Sequence, residues 1–167
     1  MPERPLDLPG ILQRLAVVSE RPRHAFMVLN LIAKAGGAAG RAGPLLKVDG
    51  RAVPIREWLS DALAPMAHRD PRRIARAAAV RAELEATGAL PDDPVAAERA
   101  IDEEVRVRVR RTGLTHISRA VSDLVRAGLI KRHYQGYRVD HENRGAQRHA
   151  VYTLLPATRL ALASSTS

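Results

Sequence analysis

The first forty residues contain two stretches in which apolar residues recur at helical spacing. Between residues 11 and 18 the apolar positions fall three and four apart, which predicts a first helix. A second helix is predicted to begin at Pro22, since proline suits the first turn of a helix, and to stop at Gly36-Gly37. Because residues 24–35 are apolar on nearly every side, we expect this helix at the centre of a core or an interface.

A loop and a hairpin are predicted next. Residues 36–44 are rich in glycine and lack an apolar period, which is typical of a flexible loop. Asp49 and Gly50 follow it, between the segments LLKV and RAVP. An Asp-Gly pair in this setting is a strong hairpin signal, so residues 45–54 are predicted to form a short β-hairpin.

Two helices are predicted after the hairpin. Apolar residues from Ile55 to Met66 form a stripe at helical spacing, and the single tryptophan, Trp58, lies in that stripe and is expected in the core. The sequence HRDP then interrupts the pattern. Pro71 opens an alanine-rich helix that is predicted to end at Gly88.

A further helix is predicted from Asp93, and its second half is ambiguous. Asp93 and Pro94 are the residue types preferred at an N-cap and at the first helical position. Valine alternates with arginine over residues 105–111, which is a strand pattern, yet apolar residues spaced by four from Ala97 continue through this stretch. We favour a helix over 105–111.

The segment TGLTHISRAVSDLVRAGLIKR, residues 112–132, carries the strongest local signals. Gly113 is predicted to make a turn, and Thr115 is predicted to cap the N-terminus of a helix. Gly128 is predicted to end that helix, which then covers residues 115–127. One face of the helix is apolar, at spacings of three and four: Ile117, Ala120, Val121 and Leu124.

Two extended segments follow this helix. Residues 131–139 and 148–155 are separated by a polar tip, and the arginines Arg138, Arg144 and Arg148 surround it. Two strands joined by a basic tip predict a β-wing, and an arginine at such a tip can enter a DNA minor groove. The predicted fold class is therefore mainly α with a small β-wing.

The charge of the chain favours a polyanionic partner. The formal net charge is +9, and residues 105–159 hold 12 Lys and Arg residues against three Asp and Glu residues. A local excess of this kind attracts nucleic acid. Arginine supplies 24 of the 27 basic residues, so a GC-rich genome is an alternative source of the total charge, although it explains the clustering less well.

The segment GLTHISRAVSDLVRAGLIKR, followed by a wing, resembles the reader helix of bacterial winged helix-turn-helix regulators, most closely the multiple-antibiotic-resistance-regulator (MarR) type. The matching elements are Gly113-Leu114, Thr115, Ser118-Arg119, Leu124 and Gly128-Leu129-Ile130. The resemblance covers about residues 105–156. It implies DNA binding by insertion of the helix into the major groove, usually by a dimer.

The chain departs from the MarR type in two places. Wings of that family carry a compact Asp-x-Arg at the tip, whereas Asp140 and Arg144 are four residues apart here. Chains of that family also continue after the wing into long dimer-forming helices, whereas only 11 residues follow Pro156. We therefore expect a homodimer to form through the N-terminal helices.

Three regions are predicted along the chain. Residues 1–70 form an N-terminal helical region that contains the hairpin and supplies a dimerisation or partner surface. Residues 71–156 form the winged helix-turn-helix DNA-binding domain. Residues 157–167 form a flexible tail.

Ten residues are candidates for DNA contacts. Short polar side chains hydrogen-bond base edges, and guanidinium groups bind bases or phosphates. The candidates are Thr115, His116, Ser118, Arg119, Ser122, Arg126, Arg132, Arg138, Arg144 and Arg148. The alternatives are that Arg119 pairs with Asp123 one turn later and that Ser118 and Ser122 only face solvent.

No catalytic, cofactor or metal site is predicted. The chain has no cysteine, P-loop, dinucleotide-binding glycine turn or GxSxG motif, so we expect it not to be an enzyme. His133, His141 and His149 are spaced by eight without accompanying carboxylates, which does not favour a metal site. No apolar run approaches the ~20 residues that span a membrane, and no secretory signal is evident, so we expect a cytoplasmic protein.

The leading hypothesis is a sequence-specific DNA-binding transcription regulator. Its helix 115–127 would lie in the major groove of double-stranded DNA, and its wing 138–148 would lie on the backbone or in the minor groove. The alternatives are a plasmid or phage replication or partition protein and a winged-helix protein-interaction module. Any small-molecule effector is unknown.

Overall fold

The structure is a computed structural model that describes residues 4–68, 71–135 and 149–165. The chain is mainly helical, with small antiparallel sheets. The helices are α1 (Leu8–Val18), α2 (Pro22–Gly36), α3 (Ile55–His68), α4 (Arg72–Ala86), α5 (Pro94–Arg126) and α6 (Pro156–Ser164). The strands are β1 (Arg41–Ala42), β2 (Leu45–Val48), β3 (Arg51–Pro54), β4 (Ile130–Gln135) and β5 (His149–Leu154), and a 3-10 turn covers Gly37–Ala39.

The chain divides into two compact units, which we describe separately. Met1–Leu59 and His116–Ser167 form the first, named the sheet unit here, and Ser60–Thr115 form the second, named the helical unit. The division falls inside α3 and inside α5, and it does not follow the predicted limits at 70 and 156.

The sheet unit is built on an antiparallel sheet of strand order β1-β5-β4. Strand β4 pairs with β5, from Ile130 opposite Leu154 to Gln135 opposite His149. Helix α2 is central to the core, as its apolar character predicts, and it packs near α1, β1, β5 and α6. The side chains that are fully buried here include Ile11, Leu15, Val28, Leu29, Ile32, Leu59, Val121, Leu124, Leu129 and Val151.

Several local predictions are confirmed. The hairpin β2–β3 pairs Val48 with Arg51, and Asp49 and Gly50 have φ angles of 50° and 77°, as a type I′ turn requires. Asp93 caps α5, because its Oδ2 accepts a hydrogen bond from the backbone N–H of Ala96 at 3.0 Å.

Helix α5 ends as predicted. Gly128 follows it with a φ of 70°, and the N–H of Leu129 donates to the carbonyl of Leu124 at 3.0 Å, which closes the last turn. Residues 105–111 are helical, as we favoured. The extended segments of the predicted wing are present as β4 and β5, and the tip, residues 136–148, lies outside the described residues.

The predicted turn at Gly113 and N-cap at Thr115 are wrong. Helix α5 runs without a break through both residues, over 33 residues in all. A Cβ at Gly113 would lie 2.6 Å from Oγ of Ser60, so this glycine makes room for close packing rather than for a turn. Thr115 donates from its hydroxyl to the carbonyl of Arg111 at 3.2 Å, which is a bond within a helix and not a cap.

The predicted loop at 36–44 contains a strand. Arg41 and Ala42 pair with Thr153 and Tyr152, and Ala42 is fully buried. Glycines with positive φ stand on both sides of this strand, which lets the chain turn sharply into and out of the sheet. A two-residue strand has no alternation to detect, and the pairing satisfies backbone groups that a buried loop would leave unpaired.

The predicted flexible tail is also wrong, because residues 156–164 form helix α6. Pro156 opens this helix, and the following residues are mostly good helix formers. Thr158 is fully buried, and its hydroxyl donates to the carbonyl of Leu129 at 2.8 Å. This bond anchors α6 beside the start of β4.

The apolar stripe of α3 is buried only in its first part. Ile55 and Leu59 are buried, but Trp58 is half-buried and Met66 is 54% exposed, so the prediction of a core tryptophan is wrong. Leu59 is the last residue of this stretch in the sheet unit. The stripe then continues into the helical unit, whose apolar core is much smaller.

Candidate nucleic-acid interface

The last eleven residues of α5, His116–Arg126, are the part of this helix that belongs to the sheet unit. The predicted apolar face is confirmed, since Ile117, Ala120, Val121 and Leu124 are at most 3% exposed. A helix with one face buried presents its opposite face outward. The exposed side chains on this stretch are those of Arg119 and Arg126, and Ser118 and Ser122 are half-buried beside them.

The two serines are each bonded to an arginine from another element. Nη2 of Arg56, on α3, donates to Oγ of Ser118 at 2.7 Å. Nη1 of Arg132, on β4, donates to Oγ of Ser122 at 3.3 Å. The serines are one helical turn apart, so two guanidinium groups lie side by side along this helix. The alternative that both serines only face solvent is wrong.

Tyr152 lies in the sheet near these two arginines. It is the direct partner of Arg132 across β4 and β5, and it is 1% exposed. Burial raises the pKa of its phenol to about 12, against a smaller opposing effect of Arg56 and Arg132. The phenol therefore stays neutral to a higher pH than a solvent-exposed tyrosine.

Arg126 and Arg119 differ in their partners. Arg126 forms an ion pair with Asp123, and it also donates to the carbonyl of Val18 at 3.1 Å. It therefore ties α5 to the end of α1. The alternative that Arg119 pairs with Asp123 is wrong, because the ion pair of Asp123 among the described residues is with Arg126. Arg119 is exposed and has no ion pair within the described ranges.

His116 lies against a second histidine. Its ring meets the ring of His24, on α2, edge to face, with the centroids 6.2 Å apart. Burial lowers the pKa of His24, and the charges of Arg21 and His116 lower it further. This pair places His116 at the α2–α5 contact rather than on the outward face. Thr115, also predicted to contact DNA, is exposed and is the last residue of the helical unit.

Further basic residues lie on the sheet, and sequence patterns did not indicate all of them. Lys131, Arg132 and His133 are exposed on β4. Nη2 of Arg41, on β1, lies 3.3 Å from Nε2 of His133. Arg41 and Arg56 had no motif to mark them, since each meets its partner only across the fold.

The remaining predicted arginines, Arg138, Arg144 and Arg148, lie outside the described residues. Their proposed role at a wing tip therefore stays a prediction.

The two units differ in charge. The sheet unit carries 17 Lys and Arg residues against eight Asp and Glu residues, and the helical unit carries ten of each. The whole formal charge of +9 therefore belongs to the sheet unit. The arginines of residues 105–111 lie in the basic segment 105–159 of the sequence. In the structure they belong to the helical unit, whose charges balance.

Arg108 shows how that balance arises. It pairs with Glu104 at 3.0 Å and also with Glu83 on α4. The hydrogen bond from Arg108 lowers the pKa of the Glu83 carboxyl, and these partners raise the pKa of Arg108. The charge of this arginine is therefore matched locally.

Comparison with protein-family models, with curated proteins and with solved structures finds no match for this chain. Across the ranges that the structure describes, no helix is both long enough and apolar enough to cross a membrane.

Proposed function

We propose that this chain is a DNA-binding transcription regulator that reads double-stranded DNA with the 116–126 part of α5. The observation that carries the proposal is the confinement of the entire net charge to the unit that presents this helix. A positive unit of this kind attracts the phosphate backbone. An α-helix with one exposed polar face also fits the major groove of B-DNA.

The side chains of this helix divide into two roles. Arg119 is exposed and has no ion pair among the described residues, so it is the group to contact a base edge. Arg56 and Arg132, bonded to Ser118 and Ser122, are held for phosphates along this helix. In this arrangement the serines fix the arginines and do not themselves read bases.

The β4–β5 pair takes the place of the wing. Lys131 is exposed on β4 and adds positive charge to this strand pair. The tip arginines Arg138, Arg144 and Arg148 complete the proposed wing surface, on the backbone or in the minor groove.

The test is selection of bound sequences from a random DNA pool, followed by binding measurements with variants. We expect the Kd to rise steeply with salt. Arg119→Ala is expected to weaken binding of the selected site by ~1–3 kcal/mol and to relax the preference at one position. Arg56→Ala is expected to weaken all sequences alike and to reduce the salt slope by about one.

Arg51→Ala is the matched control, since this exposed arginine of the same unit lies on the separate β2–β3 hairpin. It removes the same charge and should leave the sequence preference unchanged. The proposal fails if no sequence is enriched, or if Arg119→Ala and Arg51→Ala have the same effect on every sequence.

A further inference from the structure

The helical unit exposes large apolar side chains. Among its described residues, the buried hydrophobic side chains are those of Val80, Ala97 and Ile101. Ile74 on α4 is 82% exposed, and Val95 on α5 is 61% exposed. A unit of this size buries little apolar surface by itself, so a partner that covers these side chains would add to its stability.

A groove lies between α4 and the first half of α5, with a volume of about 370 Å³. Its apolar lining is formed by Ala77, Ala78, Ala82 and Ile101. The small alanine side chains leave room for an apolar side chain from another molecule.

The rim of this groove is acidic. It carries Glu85, Glu98 and Asp102 with a single basic residue, Arg81. Arg81 is paired with Glu98. Neither Glu85 nor Asp102 has an ion pair in the part of the chain that the structure describes, so the rim has an excess of negative charge. It is suited to a basic segment that carries one exposed apolar side chain.

The first turn of α4 is such a segment. Arg73 and Ile74 are adjacent in this turn, and both are exposed. The N-terminus of a helix is itself positive, which adds to the charge of Arg73. Helix α4 therefore carries a basic end with an apolar knob, and its other half lines an acidic groove.

We propose that a second copy of this chain docks on the groove. Ile74 of each copy packs on the apolar lining of the other copy's groove, and Arg73 beside it faces Glu85. Since α4 carries the basic first turn and also forms one side of the groove, antiparallel packing about a two-fold axis satisfies both copies at once. The resulting homodimer forms through the helical unit.

The first test compares two exposed apolar residues in the full chain. Ile74→Asp is the test variant, and Val17→Asp on α1 is the matched control, because Val17 is 85% exposed and belongs to the N-terminal helices. Molar mass is measured by sedimentation equilibrium without DNA. We expect a wild-type dimer, a rise in Kd of about 10- to 100-fold for Ile74→Asp, and no change for Val17→Asp.

The second test exchanges charges across the interface. Arg73→Glu and Glu85→Arg each place like charges opposite one another, so each variant alone should be mostly monomeric at low salt. In a mixed dimer of the two variants both contacts are again between opposite charges. Mixing should therefore restore the dimer mass, which a loss of folding could not do.

The outcomes separate cleanly. A monomeric wild type, a dimer that survives Ile74→Asp, or a dimer lost with Val17→Asp would each overturn the proposal. The last result would favour the N-terminal helices as the interface. Failure of the mixed variants to associate would also overturn the pairing. None of these readouts depends on DNA, so failure here is distinct from failure of the proposed function.

Discussion

The sheet unit and the helical unit use the same residue types in opposite ways. Both are rich in arginine, but the sheet unit has about two basic residues for each acidic one, whereas the helical unit is balanced. In the helical unit arginines are matched by carboxylates, as in the Arg81–Glu98 pair. In the sheet unit Arg56 and Arg132 are bonded to neutral serine hydroxyls, and neither has an ion pair with another described residue.

The contrast is sharpest within helix α5 itself. Arg108 lies in its first part and pairs with two glutamates, whereas Arg119 lies three turns later and is exposed with no such pair among the described residues. Arginine content along a sequence is therefore weak evidence for a nucleic-acid surface. What matters is whether carboxylates lie within reach once the chain has folded.

The largest expected difference between the units concerns their cores. Leu124 is fully buried in the sheet unit, and Leu124→Ala should lower the free energy of unfolding by about 3 kcal/mol. Ile101 is 3% exposed but lines an open groove, so Ile101→Ala should cost roughly half as much, since water can enter the space it leaves. Denaturant unfolding followed by Trp58 fluorescence and by circular dichroism measures both. Equal losses would contradict the comparison.

Signals confined to a few consecutive residues gave correct predictions. Asp93 and Gly128 mark the two ends of α5, because capping depends on a side chain or a φ angle at one position. The Asp49-Gly50 turn is of the same kind. The apolar face from Ile117 to Leu124 was also predictable, because helical spacing alone fixes which residues share a face.

Features that depend on distant residues could not be predicted. Arg56 meets Ser118 across 62 positions, and no local pattern near Arg56 marks that contact. The pairing of β1 with β5 joins residues more than a hundred positions apart. The prediction of a turn at Gly113 was wrong for the same reason. The lack of a side chain there leaves space for Ser60, which is distant in the sequence.

A smaller loss of unfolding free energy is expected at high pH from the ionisation of tyrosine. It concerns the sheet unit alone, because residues 60–115 contain no tyrosine. The pKa of Tyr152 is about 12 in the folded chain, above the ordinary value of 10. Between these values the unfolded chain loses the proton first, so the stability contribution present below pH 10 is lost as the pH rises to 12. The expected loss is roughly 2–3 kcal/mol.

Tyr152→Phe is the comparison for this effect, since it keeps the ring and removes the ionising group. The difference in unfolding free energy between wild type and variant should change with pH only above pH 10. Ultraviolet absorbance should show a phenol that ionises late in the wild type and is missing in the variant. A pH-independent difference between the two proteins would contradict a buried phenol with a raised pKa.

The smallest expected effects come from two glycines that look alike in sequence, Gly113 in the helical unit and Gly128 in the sheet unit. Gly128 has a φ of 70°, so Gly128→Ala should destabilise the chain by about 1 kcal/mol. Gly113 lies inside α5, where alanine is favoured over glycine by up to about 1 kcal/mol. Its new Cβ would meet Oγ of Ser60, so the substitution is made together with Ser60→Ala.

Ser60→Ala/Gly113→Ala should therefore be more stable than Ser60→Ala, whereas Gly128→Ala should be less stable than wild type. Thermal unfolding by circular dichroism measures both differences. The opposite signs follow from the backbone alone, because only one of the two glycines stands outside a helix. Destabilisation at both positions would contradict a continuous helix at Gly113. It would favour the turn predicted from the sequence, which would separate the two helices of a helix-turn-helix motif.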